Sequence, residues 1–399
     1  MRLLLIAKYM VAFILYLFYY LWENYGQMGL FCFMIRGLVI IKNALCQCCK
    51  MKRGIKMTDK NYCMSSYLAL KFIEQDEMDF FEGYNHRKYT PIPNDKKVLV
   101  SSAHEIEIEI EKQVKPYLDK KVGVFLSGGM DSAIVASFLP GKDAYTFRYV
   151  GIDYPNDELL RAEQFAQYYN LHLHYVDITW DSMIERIDML MDSKKSPVYY
   201  IEPQLYQAAK QAKQDGIETI MVGEASDMVF GGLGWLLAKD WSSEEFAKMY
   251  ISLQPERALC NPVSLRPVFD RFGVEKLDVI EFINDIFWRE AYSAYENAFS
   301  VADMPYYDPF ERLKMAEQLD FNRVRNGEPK YLVRELFSLR YPELPIPSKI
   351  RLPNPLDSFM KNWSGPKREE FLQNIDINTF SGKHKWQLFC LERFLNNNT

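Results

Sequence analysis

Ser127-Gly128-Gly129-Met130-Asp131-Ser132 combines two hydroxyls, two glycines and a carboxylate between an apolar run, Val122 to Leu126, and a helix-forming one. This pattern suits an anion cradle. The glycines predict a turn with positive φ that brings backbone N–H groups close to a phosphate, and the following helix points its partially positive N-terminus at the same spot. Ser127 and Ser132 add hydroxyl donors. Asp131 would repel a phosphate, so its expected role is to hold Mg²⁺, which bridges carboxylate and phosphate oxygens. Ser-Gly-Gly alone would equally suit a plain glycine turn with a serine cap. The strand–turn–helix context and the Asp-Ser pair favour a nucleotide. A second acidic, glycine-rich stretch runs from Val222 to Gly232 and contains Glu224 and Asp227. Taken by itself it could be a surface loop. After a predicted strand, it delivers two carboxylates to the C-terminal edge of a parallel sheet, where open α/β sheets bind ligands.

These groups need a scaffold, and the chain predicts one. Short apolar runs at Val122–Leu126, Ala144–Val150, Leu173–Ile178 and Thr219–Val222 read as strands, and those at Asp131–Leu139, Glu158–Tyr169 and Pro203–Asp215 as helices. Strand–helix alternation implies βαβ units and a parallel sheet. Ser102 with Glu105 resembles a capping box, and Ile106, Ile110 and Val114 recur at helical spacing. Glu-Ile-Glu-Ile-Glu-Ile over 105–110 also alternates like a strand; the cap decides for helix, ending near Lys115 before Pro116. Residues 57–100 read as strands or loops. Glu275–Asn297 and Pro309–Phe321 read as helices, and Arg340–Pro355 as a proline-rich loop. No internal repeat is visible.

Composition bounds the function classes. The 399 residues allow about two or three domains. Hydrophobic residues at 48% and charged residues at 25% describe a folded chain. A net charge of −5 argues against a protein built to grip nucleic acid. The seven cysteines form no disulfide scaffold, since Cys32, Cys46, Cys48 and Cys49 crowd the N-terminus and Cys63, Cys260 and Cys390 are scattered. The five histidines show no HExxH pattern, so a zinc hydrolase is not expected. Leu3 to Trp22 is apolar except for Lys8 and would span about 30 Å as a helix. Two readings stay open: a membrane anchor, with Cys46, Cys48 and Cys49 open to palmitoylation, or sequence upstream of a start at Met57 or Met64. The expected location is cytoplasmic, with membrane attachment through residues 3–22 if the anchor is real.

The first loop resembles the SGGxDS pyrophosphate loop of the N-type ATP pyrophosphatases. Val222 to Gly232 resembles the SGEGxDExFGG signature of asparagine synthetases and their β-lactam synthetase relatives within that superfamily. Further stretches follow the same order: Thr146-Phe147-Arg148-Tyr149 with Asp157-Glu158; Met304-Pro305-Tyr306-Tyr307-Asp308; Lys330-Tyr-Leu-Val-Arg334-Glu335; and Pro347-Ser348-Lys349. The resemblance covers roughly residues 100–355. It implies an α/β fold, a parallel-sheet ATP pyrophosphatase core (adenine nucleotide alpha hydrolase-like) with a mainly helical C-terminal part. The segments would be a hydrophobic extension at 1–56, a short strand and loop region at 57–100, the α/β core at 101–240, and a helical part at 241–399 that completes the site.

The implied activity is ATP-dependent, AMP-forming amide ligation. A carboxylate would be adenylated with release of pyrophosphate, then transferred to ammonia or another amine. By the resemblance, Leu126, Tyr149 and Gly223 line the nucleotide; Ser127, Gly128, Gly129 and Ser132 hold pyrophosphate; Asp131 and Asp227 bind Mg²⁺. Glu224 orients or deprotonates the amine, Lys349 stabilises charge on the adenylate and leaving phosphates, and Asp308 positions the lysine region. Departures also matter. Arg2 stands where a glutaminase domain would carry its cysteine, and the span before residue 100 is short for such a domain. The nitrogen would then be free ammonia, ammonia from a separate glutaminase subunit, or an amine on the acceptor. Val222 replaces serine, Ala225 glycine and Met228 an acid, and Gly234-Trp235 replaces a tyrosine region, which argues against aspartate as substrate. The competing readings are a tRNA-modifying ATP pyrophosphatase and a degenerate nucleotide-binding scaffold.

Overall fold

The apolar run Val122-Gly-Val-Phe125 forms the central strand of a five-stranded parallel sheet because both its faces are covered; Val122 and Val124 are fully buried. The computed structural model describes residues 57–152, 155, 157–348 and 355–398. The segment 3–22, Cys32, Cys46, Cys48, Cys49 and Lys349 lie outside the described residues. The chain divides after Met57, and the account below concerns the unit Thr58–Thr399.

The five strands are β1 (Val122–Phe125), β2 (Asp143–Tyr149), β3 (His172–Ile178), β4 (Thr219–Met221) and β5 (Tyr306–Tyr307). They lie in the order β3-β2-β1-β4-β5. All neighbours are parallel, with Phe125 opposite Tyr145 and Val124 opposite Met221. The order reverses between β1 and β4, which opens a crevice beyond their C-terminal ends. Four strands fall where hydrophobic patterning put them. The two-residue β5, at the sheet edge, is too short to leave a pattern of its own.

Eight helices matter to the site: α1 (Lys60–Leu70), α2 (Ala103–Val114), α3 (Met130–Ser137), α4 (Asp157–Tyr168), α5 (Ile201–Gln214), α6 (Trp288–Val301), α7 (Tyr331–Arg340) and α8 (Gly382–Asn398). The Ser102 hydroxyl accepts from Glu105 N at 3.2 Å and caps α2. Ile106, Ile110 and Val114 are buried along one face while Ile108 is 46% exposed, a helical division of the alternating sequence.

Three expectations are corrected. Residues 57–100 contain α1, capped by Asp59 and buried from Tyr62 to Leu70. A helix buried on every side carries no amphipathic period, and Gly83, Pro91, Pro93 and Asn94 further along the stretch read as turn formers. Ser66 donates to the Phe72 carbonyl at 2.9 Å. Pro309–Phe321 is not one helix. It holds a 3₁₀ turn and then the strand Leu313–Met315, which pairs parallel with Val98–Val100. A distant partner strand overrides the local helical pattern there. The predicted helix at 275–297 forms, but Ile283–Phe287 takes π-helical winding before α6. Among the described residues no helix is long and apolar enough to cross a membrane.

Candidate active site

The crevice at the β1–β4 reversal is a cavity of about 340 Å³. Its walls include Leu126, Ser127, Asp131, Ser132, Tyr149 and Gly223, together with Glu224 and Asp227. Residues distant in sequence therefore share one chamber because two adjacent strands end at it.

The loop after β1 is braced by its own hydroxyls. Ser127 N donates to Ser132 Oγ at 3.0 Å, the two hydroxyl oxygens lie 2.9 Å apart, and Gly129 N donates to Ser127 Oγ at 3.1 Å. Neither Gly128 nor Gly129 has a positive φ, contrary to expectation; Gly129 sits at φ −89°. Gly128 is required for close approach instead. A Cβ there would lie 2.8 Å from Glu158 Cα and press on the Glu158 carbonyl. The loop thus packs directly on the first turn of α4. Burial raises the Glu158 pKa, partly offset by Arg161 and by the Gly128 N–H. Gly223 makes the matching contact from β4, where a Cβ would stand 3.0 Å from the Asp131 carbonyl.

Asp131 and Asp227 meet through Lys330, to which the sequence assigned no role. Lys330 Nζ lies 2.6 Å from Asp131 Oδ2 and 2.6 Å from Asp227 Oδ1. The residue is only 7% exposed. Burial alone would lower the ammonium pKa; the two carboxylates outweigh it and raise the value. Lys330 takes a left-handed backbone, φ 55°, to enter α7. Gly232 leaves it room, since a Cβ there would lie 2.7 Å from Lys330 Cδ and collide with the Asp227 carboxylate. The sequence signal for Lys330 was its place at the start of the Lys-Tyr-Leu helix.

Glu224 accepts a hydrogen bond from the Tyr295 hydroxyl of α6 at 3.0 Å. Burial pushes its pKa up to about 7; the Tyr295 hydrogen bond opposes this, and Asp227, Asp308 and Asp131 add to it. Tyr295 was missed, because a tyrosine in a helical pattern reads as core. Asp308 is buried behind the loop. Its Oδ2 accepts from Ala225 N and from the Tyr292 hydroxyl, both at 2.8 Å, and its Oδ1 accepts from Phe310 N at 2.9 Å. Burial raises its pKa to about 7 against those three bonds. Asp308 thus fastens β5 to the loop that carries Glu224. Ser348, the residue before Lys349, is held by Arg161 of α4 through its carbonyl at 2.8 Å.

The departures from the family signature are also placed. Val222 is buried and its N–H donates to the Tyr307 carbonyl at 2.9 Å. Trp235 stacks on Tyr250 at 5.9 Å. The Tyr250 hydroxyl in turn donates to Glu290 at 2.5 Å, on the cavity wall.

The residues present fit a magnesium ion. Asp131 Oδ1 is buried and has no hydrogen-bond partner among the described residues. Those residues contain no group of three or more His, Cys, Asp or Glu placed to hold a metal. Magnesium characteristically takes one or two carboxylates together with substrate phosphates, so a pair suffices.

A parallel α/β sheet with a serine–glycine cradle at its switch point defines a nucleotide-using protein. The chain belongs to the asparagine synthase family, whose model matches residues 105–318. That family uses ATP. The chain is 25% identical over 178 residues to a protein of Methanocaldococcus jannaschii named "Putative asparagine synthetase (glutamine-hydrolyzing) 1". The match takes in 40% of this chain and 30% of the relative's length. Among solved structures, an NH3-dependent NAD synthetase from Campylobacter jejuni is 15% identical with a TM-score of 0.23, covering 32% of this chain and 58% of that one. An NMN synthetase from Francisella tularensis is 11% identical with a TM-score of 0.24, covering 62% of this chain and 97% of that one.

Proposed function

We propose that the protein is an ATP-dependent, AMP-forming amide ligase that adenylates a small carboxylate and transfers the acyl group to an amine. The observation that supports this best is the convergence on one cavity of the Ser127–Ser132 loop, the Asp131–Lys330–Asp227 cluster and Glu224. Leu126, Tyr149 and Gly223 line the nucleotide in this reading. Ser127, Gly128, Gly129 and Ser132 hold its phosphates. The substrate carboxylate attacks the α-phosphorus, and the bond to the departing pyrophosphate breaks. Lys330 and Lys349 stabilise the charge that develops. Asp131 and Asp227 would hold Mg²⁺, which neutralises phosphate charge when bound.

In the second half-reaction the amine must be neutral to act as a nucleophile. Glu224 takes its proton, and a pKa near 7 suits a base working at neutral pH. The nitrogen forms the C–N bond, the C–O bond to AMP breaks, and AMP leaves with the electron pair. Asp308 positions Glu224 by tying down the Ala225 N–H. Residues 101–240 form the ATP-binding core in this reading, and 241–399 complete the site. The partners are a carboxylate and an amine or ammonia, with a separate glutaminase subunit as one ammonia source, and the location is cytoplasmic.

The test is ATP–pyrophosphate exchange by the full chain with Mg²⁺ and a panel of carboxylic acids, aspartate included. Exchange dependent on one acid is the expected result. Asp131→Ala and Lys349→Ala should each abolish AMP formation and leave the circular dichroism spectrum unchanged. Undiminished turnover in either variant would remove that residue from the mechanism.

A further inference from the structure

Beside the loop after β1 and the carboxylates, part of the same cavity lining is made by Tyr199 and Tyr200 before α5 and by Phe287, Ala291, Ala294 and Tyr295 at α6. We propose that this part is the nucleophile subsite and takes an organic primary amine as its ammonium, held between aromatic rings and the Glu224 carboxylate. The inference rests on the amide-ligase reading and names the class of one of its two substrates.

Charge is the first argument. The cavity lining carries Asp131, Glu158, Glu224, Asp227 and Glu290, and one cation among the described lining residues, Arg148; the neighbouring cations Lys330 and Lys71 are committed to Asp131 and Asp227 and to Glu290. Arg148 is committed to Asp177 through hydrogen bonds of 2.7 and 3.0 Å. A substrate with a second carboxylate, such as aspartate, therefore finds no uncommitted cation there among the described residues. A substrate ammonium finds acids and ring faces, the combination that recognises organic cations.

The wall already shows this chemistry with a protein group. Lys71 Nζ sits 5.1 Å from the Tyr199 ring centroid and pairs with Glu290. That pairing neutralises Glu290 and leaves Glu224 as the acid for the ligand. The Tyr295 hydroxyl occupies Glu224 Oε2, and Oε1 accepts no hydrogen bond among the described residues. The Tyr199 hydroxyl likewise has no hydrogen-bond partner among them.

Shape is the second argument. The π-helical segment Ile283–Phe287 shifts the phase of the helix that follows, a distortion frequent at functional sites. It brings Phe287, Glu290, Ala291 and Ala294 onto the wall, and the two alanines leave space between the rings. Free ammonia needs only a small polar niche. An apolar chamber of rings and alanines suits a nucleophile with a carbon body.

The experiment is isothermal titration of the full chain, first with α,β-methylene-ATP and Mg²⁺, then with phenethylamine, 2-phenylethanol, ammonium chloride or aspartate. Phenethylamine is expected to bind at one site and at least tenfold more tightly than 2-phenylethanol, which has the same body without the charge. Glu224→Gln and Tyr199→Ala should each weaken phenethylamine at least tenfold, and Tyr199→Phe should restore it. Aspartate binding in place of phenethylamine would overturn the inference, as would phenethylamine binding insensitive to both substitutions. A chain that binds the ATP analogue and no amine overturns the amine subsite alone. One that binds neither overturns the ligase reading with it.

Discussion

Glu224, on the loop after β4, and Asp308, bonded to that loop through the Ala225 N–H, are carboxyl groups withdrawn from water, and each has its pKa raised to about 7. Their cost to the fold depends on pH. A glutamate titrates near 4.3 in an unfolded chain. Between that value and about 7 the native state holds the extra proton. The stabilisation is full below the lower value and is lost as pH rises through about 7. Glu224→Gln, which cannot ionise, should match the parent in urea unfolding at pH 4 and exceed it by about 1–3 kcal/mol at pH 8. Equal stability at both pH values would show that Glu224 titrates as an ordinary surface acid. In the proposed reaction the same titration predicts amide formation rising with pH and levelling above about 7, as Glu224 would become available as a base. Lys330 belongs to this scale as well: one buried ammonium offsets two carboxylates that would otherwise repel each other.

Among the elements, the strand ends and the turns that leave them decide the geometry. The Gly128 turn is held by contact with α4 rather than by an unusual φ, because the backbone of Glu158 fills the space a side chain would need. Gly128→Ala should push the loop off α4. The expected outcome is at least a tenfold loss of ATP affinity by titration and a stability loss of about 1–3 kcal/mol by urea unfolding. Unchanged affinity would mean that the loop does not approach the phosphates. The parallel strands were legible because continuous apolar runs bounded by turns have few other solutions. α1 was not, since its burial on all sides erases the period that marks a helix. The strand Leu313–Met315 was hidden for a different reason: its partner, Val98–Val100, lies about two hundred residues earlier in the chain.

Across the whole unit, helices far apart in the chain, α1 and α8, brace the cavity wall. Tyr67 of α1 and Trp386 of α8 both donate to the Val198 carbonyl, at 2.9 and 3.3 Å, one residue before Tyr199. Gln387 of α8 donates to the carbonyls of Tyr67 and Leu68 at 3.3 and 3.1 Å. Trp386 is fully buried. Trp386→Ala should cost about 3–5 kcal/mol in urea unfolding and weaken whatever the Tyr199 wall binds. A loss under 1 kcal/mol would show that α8 is an appendage.

Local pattern was enough for four of the five parallel strands, the serine–glycine loop and the carboxylates Asp131, Glu224 and Asp227. Residue type, spacing and hydrophobic runs are written along the chain, so those features need no knowledge of distant partners. Lys330, Tyr295 and Glu290 joined the candidate site only in three dimensions. A lysine opening a helix and a tyrosine or glutamate within one look ordinary in sequence. Their placement comes from α6 and α7 packing at the end of β4, which brings residues about 70 to 200 positions apart within hydrogen-bonding distance.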